Sequence, residues 1–322
     1  MSLWNQLIKP MLAEISGPFD SREFCFEIKF DGTRAICYID KKKKEVKLLN
    51  RRFRFFQKNY PELSKLYEDV NANKVVLDGE VVIFKQGKPD FYSLAEREHV
   101  DEPTRIELLS KIMPATLVVF DIPHKDGEDL TDKPLIERKK ILEKAVRESN
   151  RVLLSAYVIG DGKKFFEEVR KKGLEGVVAK RLNSTYQIGK RSKDWLKIKY
   201  LKTLDCVICG YTVGTGWREK YFGALILGCY YQGKLKYVGR VGTGLDEKGY
   251  ANLTGKLQKI KTEKCPFEEI PKMPSDIIPI WIKPRFICEV RFMNLSRDLI
   301  LRAPAFIRLR EDKLPEECIL EL

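Results

Sequence analysis

The sequence predicts an α+β protein of two domains: antiparallel sheets flanked by helices, followed by a smaller β-barrel. Three observations lead there. The chain has 322 residues, enough to bury two cores. Its first two-thirds mixes runs of period two with helical patterns. Beyond Leu201-Lys202 the pattern becomes β segments punctuated by glycine, with one helical interruption. The boundary falls there, giving domains 1–201 and 202–322.

In the first part the strand-like runs are FCFEIKF, TRAICYI, EVKLLN, KVVLDGEVVIF, ATLVVFDI, RVLLSAYV and EGVVAKR. In FEIKF, Phe26, Ile28 and Phe30 alternate with Glu27, Lys29 and Asp31, and Asp31-Gly32 then breaks the run. A second Asp-Gly break falls at residues 78–79. Residues 61–70 read as a helix. So do residues 134–148, opened by Thr131-Asp132 and carrying apolar Leu135, Ile141, Leu142, Ala145 and Val146. Residues 163–172 read as a third, ended by Gly173. In the second part, DCVICGYTVGTG, GALILGCYYQGKLKYVGRVGTG and FICEVRFMNLS are β segments, and residues 246–260 a helix. About five strands and one helix in this span suit a barrel of the OB type.

Bulk chemistry narrows the function. A hydrophobic fraction of 43% beside 33% charged residues fits a soluble globular protein. No apolar run has the length of a membrane span, and the opening residues lack the pattern of a signal peptide, so a cytoplasmic, nucleoid-associated protein is expected. A net charge of +14 suits a polyanion partner such as nucleic acid. The lysines at 41–44 read as a solvated hairpin tip. Of the eight cysteines, only CVIC at 206–209 has metal-like spacing. In a strand those two point to opposite faces, so buried thiols are the expectation. With only His99 and His124 in the chain, Ser-His or Cys-His catalysis has little to draw on.

The chemistry-bearing residues recur in short strands. Glu27, Lys29, Asp31 and Arg34 cluster around the first Asp-Gly. Asp78 and Glu80 share a strand face in LDGEVVIF. Glu175 opens EGVVAKR, Lys197 and Lys199 share one face of DWLKIKY, and Phe120 stands in VFDI. Taken singly, each has an ordinary explanation: solvated carboxylates, an edge strand guarded by lysines, a core phenylalanine. Together they supply what metal-assisted nucleotidyl transfer needs. Carboxylates hold Mg²⁺, cations neutralise an α-phosphate, and an aromatic face stacks a base. No GxxxxGK[ST] stretch and no HRD…DFG set is present, so P-loop and protein-kinase readings lack support.

In order, KFDGTR, LNRRF, LDGE, VFDI, EGVVAKR, WLKIK and RLREDK resemble the motifs of the covalent nucleotidyltransferases: ATP-dependent DNA ligases, RNA ligases and capping enzymes. KPMLAE, PFD, GYTVGTGWR, YVGRVGTG and LRAPAF are most similar to the ligase domain of DNA ligase D, of non-homologous end joining, and its archaeal stand-alone relatives. The resemblance implies an adenylation (nucleotidyltransferase) domain followed by an OB-fold domain. It also implies ATP held as covalent AMP on Lys29, with Mg²⁺ or Mn²⁺. Lys29 would be the nucleophile, supported by Asp31, Arg34, Lys197 and Lys199. Glu27 would read adenine's amine and Phe120 would stack its ring. Arg34 and Arg51 would hold ribose or phosphate, and Glu80 and Glu175 would serve ribose and metal. Ile28 and Arg191 complete the nucleotide set. Arg308, Arg310, Asp312 and Lys313 would act when the enzyme is adenylated.

Implied partners are nicked duplex DNA, with a 3′-ribonucleotide at the nick, and Ku, a primase-polymerase and a phosphoesterase. No membrane is involved, and the expected state is a monomer. Asn50 and Ala303 depart from the family's usual serine and histidine. Two rival readings are an RNA ligase or capping-type enzyme, and a non-catalytic OB nucleic-acid-binding protein. Whether AMP, GMP or nothing becomes attached to Lys29 separates them.

Overall fold

Alternation in the opening stretch becomes a strand, Ser21–Ile28, with Phe24 and Phe26 buried. Glu27 is buried beside them, so this strand faces protein on both sides. The computed structural model describes residues 3–274 and 277–320. The chain divides into two units, Met1–Tyr200 and Leu201–Leu322.

The first unit is built on two sheets. One has five strands in the order Leu12–Ile15, Arg191–Lys199, Gly176–Arg181, Ser21–Ile28 and Tyr157–Gly160. The other has seven, with Glu45–Leu49, Thr33–Asp40, Lys74–Lys85, Ala115–Lys125 and Glu128–Asp129 in its main path. Lys88–Pro89 and Val152–Leu154 pair beside that path. The ladders are antiparallel apart from Leu12–Ile15 on Arg191–Lys199 and Val152–Leu154 on Ala115–Lys125.

Two short links carry the chain between the sheets. Residues 29–32 join Ser21–Ile28 to Thr33–Asp40. Residues 155–156 join Val152–Leu154 to Tyr157–Gly160, so RVLLSAYV is not one strand but two, in different sheets. The first link passes very close to its neighbour. A Cβ on Gly32 would stand 2.3 Å from the Val81 carbonyl oxygen, which only glycine avoids. The second Asp-Gly is no break. Asp78 and Gly79 lie inside the long strand Lys74–Lys85, at a shift in its register with Ala115–Lys125.

Helix Leu135–Ala145 closes the seven-stranded sheet through Leu142 and Ala145, which share its core with Leu77, Val119 and Leu117. Helix Gly162–Lys171 closes the other sheet through Phe166 and Val169, against Phe26 and Val177. Gly173 follows it at φ 71. Residues 61–68 form a 3-10 helix, Pro61–Glu68, where an α-helix is the sequence reading. Two helices escape that reading: Phe91–Glu98, capped by Asp90, and Pro103–Ile112, with proline in its first turn. Their signals are the Asp cap and the proline.

The second unit is the OB-fold domain. Its sheet runs Lys234–Val241, Phe222–Tyr231, Lys202–Val213, Pro279–Phe292 and Ala305–Leu309, antiparallel throughout. Helix Glu247–Gln258, capped by the Asp246 side chain, packs Tyr250, Leu253 and Leu257 into the core. Cys206 joins that core, whereas Cys209 packs with Ile226 and Phe267 in a separate cluster, as opposite strand faces require. No helix among the described residues is long and apolar enough to cross a membrane.

Candidate active site

Where the chain leaves one sheet for the other, the first unit encloses a cavity of about 290 Å³. Register explains its walls. In the five-stranded sheet Glu27, Val178 and Lys197 lie in one row across three strands. Two rows on, the Lys29 amide donates to the Gly176 carbonyl at 2.9 Å, and Gly176 pairs with Lys199. The charges that alternate along FEIKF and WLKIK therefore share one face of one sheet. Opposite, Arg34 is in register with Glu80. Glu27, Ile28, Lys29, Arg34, Arg51, Glu80, Phe120, Arg191, Lys197 and Lys199 all line this cavity. Among the sequence-nominated residues of this unit, Glu175 and Asp31 do not line it.

Glu175 nevertheless touches its chemistry. Its Oε2 lies 2.5 Å from Lys29 Nζ and its Oε1 3.0 Å from Lys199 Nζ, with the Glu175 side chain 7% exposed. Asp31 sits in the link itself, half-buried.

Arg34 is engaged. Its Nε and Nη2 donate to the two Asp78 oxygens at 2.5 and 2.7 Å, and the Tyr186 hydroxyl donates to Asp78 at 2.6 Å. That bidentate grip holds the guanidinium 4.5 Å from the Phe120 ring centre. Tyr186 is a site residue that sequence reasoning did not nominate, and Asp78, singled out there only as a strand carboxylate, turns out to be the partner of Arg34.

Glu27 is also engaged. Lys139 lies 2.6 Å from its Oε1 and Lys180 3.0 Å from its Oε2, while Ser155 donates its hydroxyl at 3.0 Å. Burial pushes the Glu27 carboxyl up, but the two ammonium groups more than offset it and hold it below its ordinary value. Lys180 ends 4.0 Å from the Phe120 ring centre and 4.3 Å from that of Trp195. Burial lowers its pKa despite Glu27. Lys139 goes the other way: Glu27 overcomes burial and raises it.

Glu80 is the exception among the carboxylates. Burial, only partly offset by Arg34 and Lys29, raises its pKa to about 7. A carboxylate so short of positive charge suits a divalent cation, and its hard oxygens suit Mg²⁺ or Mn²⁺. Among the described residues no cluster of three or more His, Cys, Asp or Glu could form a closed metal cage. Glu80 and Glu175 would therefore offer a divalent cation an open site rather than a closed cage. Lys197 titrates below its ordinary value, through burial and then Arg191, Lys199, Lys29 and Arg51. Cations gathered on that wall await an anion.

In the second unit Arg310 Nη1 donates to both oxygens of Asp205, at 2.9 and 3.0 Å, while its Nε and Nη2 donate to Asp312. Lys313 Nζ donates to the same Asp205 at 2.6 Å. Arg308 pairs with Glu289 at 2.8 Å. Asp205, at the start of DCVIC, is the anchor that sequence reasoning missed.

Comparison with known proteins gives a consistent set. The profile described as "ATP dependent DNA ligase domain" matches residues 8–199, and "ATP dependent DNA ligase C terminal region" matches residues 218–313. The multifunctional non-homologous end joining protein LigD of Mycolicibacterium smegmatis is 36% identical, over 97% of this chain and 39% of that protein. A DNA ligase of Thermococcus fumicolans is 32% identical, over 96% of this chain and 55% of its own. The chain thus spans about two-fifths of the one relative and half of the other. A solved mycobacterial DNA ligase D complexed with ATP and MES is 31% identical, with a TM-score of 0.56 and 100% of both chains covered.

Proposed function

This chain belongs to the ATP-dependent DNA ligase family, and from that premise we propose that it seals 3′-OH/5′-phosphate nicks through AMP carried on Lys29. The observation that carries the reading is Lys29 at the mouth of the link between sheets, beside Lys197 and Lys199 on one wall of one cavity and held by Glu175.

In the first step Lys29 Nζ attacks the α-phosphorus of ATP. The N–P bond forms, the bond to the β-phosphate oxygen breaks, and pyrophosphate leaves. An ammonium cannot attack, so Nζ must first lose its proton, and Glu175 Oε2 is placed to take it. Lys197 and Lys199 balance the charge that builds on the α-phosphate. Phe120 offers the base its face, and Arg34 is fixed beside that ring by Asp78. Glu80, with Glu175, would hold the divalent cation, which when bound supplies further positive charge at the phosphates. In the second step an oxygen of the nick's 5′-phosphate attacks the AMP phosphorus and Lys29 departs. In the third the 3′-hydroxyl attacks the activated 5′-phosphate, AMP leaves, and the strand is whole.

The test is incubation with α-labelled ATP and Mg²⁺ beside Lys29→Ala, after a pyrophosphate strip to remove resident AMP. Label on the parent protein alone, discharged by nicked duplex with joining, supports the reading. No label on the stripped parent from either α-labelled ATP or, in parallel, α-labelled GTP would leave a nucleic-acid-binding OB protein in its place, and label from GTP alone would make it a capping-type enzyme.

We place the activity in double-strand break repair, because the LigD relatives carry end joining in their names. Ku, a primase-polymerase and a phosphoesterase are the partners this implies. A preference for a 3′-ribonucleotide at the nick belongs to the same proposal. Equal sealing rates on 3′-ribo and all-deoxy nicks would sink that part alone.

A further inference from the structure

Residues 50–56, NRRFRFF, follow the strand Glu45–Leu49, and the chemistry above uses only Arg51. The structure closes this run into a tight turn. The Asn50 amide donates to the Arg54 carbonyl at 3.0 Å, and the Phe53 amide donates back to the Asn50 carbonyl at 3.0 Å. From inside the turn, Asn50 Oδ1 accepts from the Arg52 and Arg54 amides at 2.9 and 3.1 Å. Phe53 is held at φ 59, the left-handed region that side chains avoid. The asparagine that replaces the family's usual serine is thus the centre of the turn.

The turn presents Arg51, Arg52 and Arg54 to solvent, with Phe53 and Phe55 between them 38% and 44% exposed. Among the described residues none of the three arginines has a carboxylate within ion-pair distance. All three line a second cavity, of about 570 Å³, which shares Gly32, Arg34 and Arg51 with the nucleotide cavity. Its one carboxylate, Glu98, already accepts from the Thr33 hydroxyl. Arg52 and Arg54 line this second cavity and not the nucleotide cavity. Unpaired arginines interleaved with exposed aromatics, next to the reacting amine, match an extended phosphodiester chain.

We propose that Arg52 and Arg54 grip the phosphate backbone of duplex DNA beside the nick, and that Asn50 is the positioning residue for both. The proposal rests on the ligase reading and names the surface that brings the nick to Lys29.

The test is fluorescence anisotropy of the full chain with a labelled nicked duplex, from 50 to 300 mM salt, in EDTA and without ATP. For Arg52→Ala/Arg54→Ala the expected result is about a tenfold or greater loss of affinity at 100 mM salt, with a log–log salt slope shallower by about two. Arg52→Lys/Arg54→Lys keeps both charges and restores the slope. Asn50→Ala keeps the arginines but frees the turn, so affinity falls by about threefold at an unchanged slope. An Ala/Ala variant that melts like the parent and binds with the parent's affinity and slope would overturn the proposal. If that variant does not fold, Arg52→Gln and Arg54→Gln singly carry the test: each should lower the slope by about one, and two unchanged slopes overturn it. Labelling with ATP on the same preparations separates the two ideas. A parent that labels at Lys29 beside unchanged binding in the variants sinks the grip alone. A parent that never labels sinks the ligase reading and the grip's place beside a reacting nick.

Discussion

Glu175 Oε2 lies 2.5 Å from Lys29 Nζ, and the same carboxylate reaches Lys199 at 3.0 Å, although 146 residues separate Glu175 from Lys29. One nearly buried acid thus holds the proposed nucleophile and one of the cations that would meet the α-phosphate. Glu175→Gln keeps the shape and loses the proton acceptor. Lysine adenylation, followed by label from α-labelled ATP, is expected to slow by about 10²-fold or more. A rate within threefold of the parent would remove Glu175 from the chemistry.

Glu80 predicts a pH dependence. Burial raises its carboxyl from an ordinary value near 4.5 to about 7. Between those values the folded protein keeps a proton that the unfolded chain has lost, so stability falls as pH rises through this window. In EDTA the Tm of the parent should decline from about pH 4.5 to about pH 7 more steeply than that of Glu80→Gln. Above pH 7, Mg²⁺ with a non-hydrolysable ATP analogue should raise the Tm of the parent more than that of Glu80→Gln. Parallel Tm profiles for the two proteins would contradict the assignment.

Asp78 supports Arg34 rather than the substrate. It is fully buried, and removing it strands a guanidinium that is itself 18% exposed. Asp78→Ala should destabilise the first unit by about 3–5 kcal/mol, read as a Tm drop of about 10 °C. Tyr186→Phe removes one hydrogen bond to the same carboxylate and should cost about 1 kcal/mol. Chemical denaturation of both variants checks the order.

Asp205 makes the kinetic prediction for the second unit, because it binds both Arg310 and Lys313. Asp205→Ala should slow lysine adenylation about tenfold more than it slows sealing of a nick that already carries AMP. Quench-flow on the two substrates gives the ratio, and equal losses would count against a role confined to adenylation.

Much of this was legible in the sequence because strand period is local. The alternation in FEIKF and WLKIK places Lys29, Lys197 and Lys199 on one wall of one cavity. Tertiary pairing is what the sequence hid. Arg138 and Lys139 fall in a charged helical run, ERKK, that reads as a solvated face, yet both are buried. Arg138 bonds Asp121 at 2.7 Å, and Lys139 pairs with Glu27. Ser155 looked like the middle of a strand and is instead the point where the chain changes sheets, with its hydroxyl on Glu27. Glu27 is correspondingly held by three partners more than a hundred residues away along the chain. Nothing in the spacing of FEIKF announces them. The positions of Arg310 and Lys313 were readable from RLREDK, but their shared anchor Asp205 lies 105 residues from Arg310.

The parallel pairing of Leu12–Ile15 with Arg191–Lys199 has a consequence for synthesis. Lys29 leaves the ribosome early, whereas the last wall of its cavity lies about 170 residues later. At about 5–20 residues per second that interval is roughly 10–30 s. Through most of it the nascent chain has the amine but not Glu175, and throughout it lacks Lys199 of the lysine wall. Vectorial synthesis therefore leaves Lys29 without the closing wall of its cavity until the whole first unit has emerged.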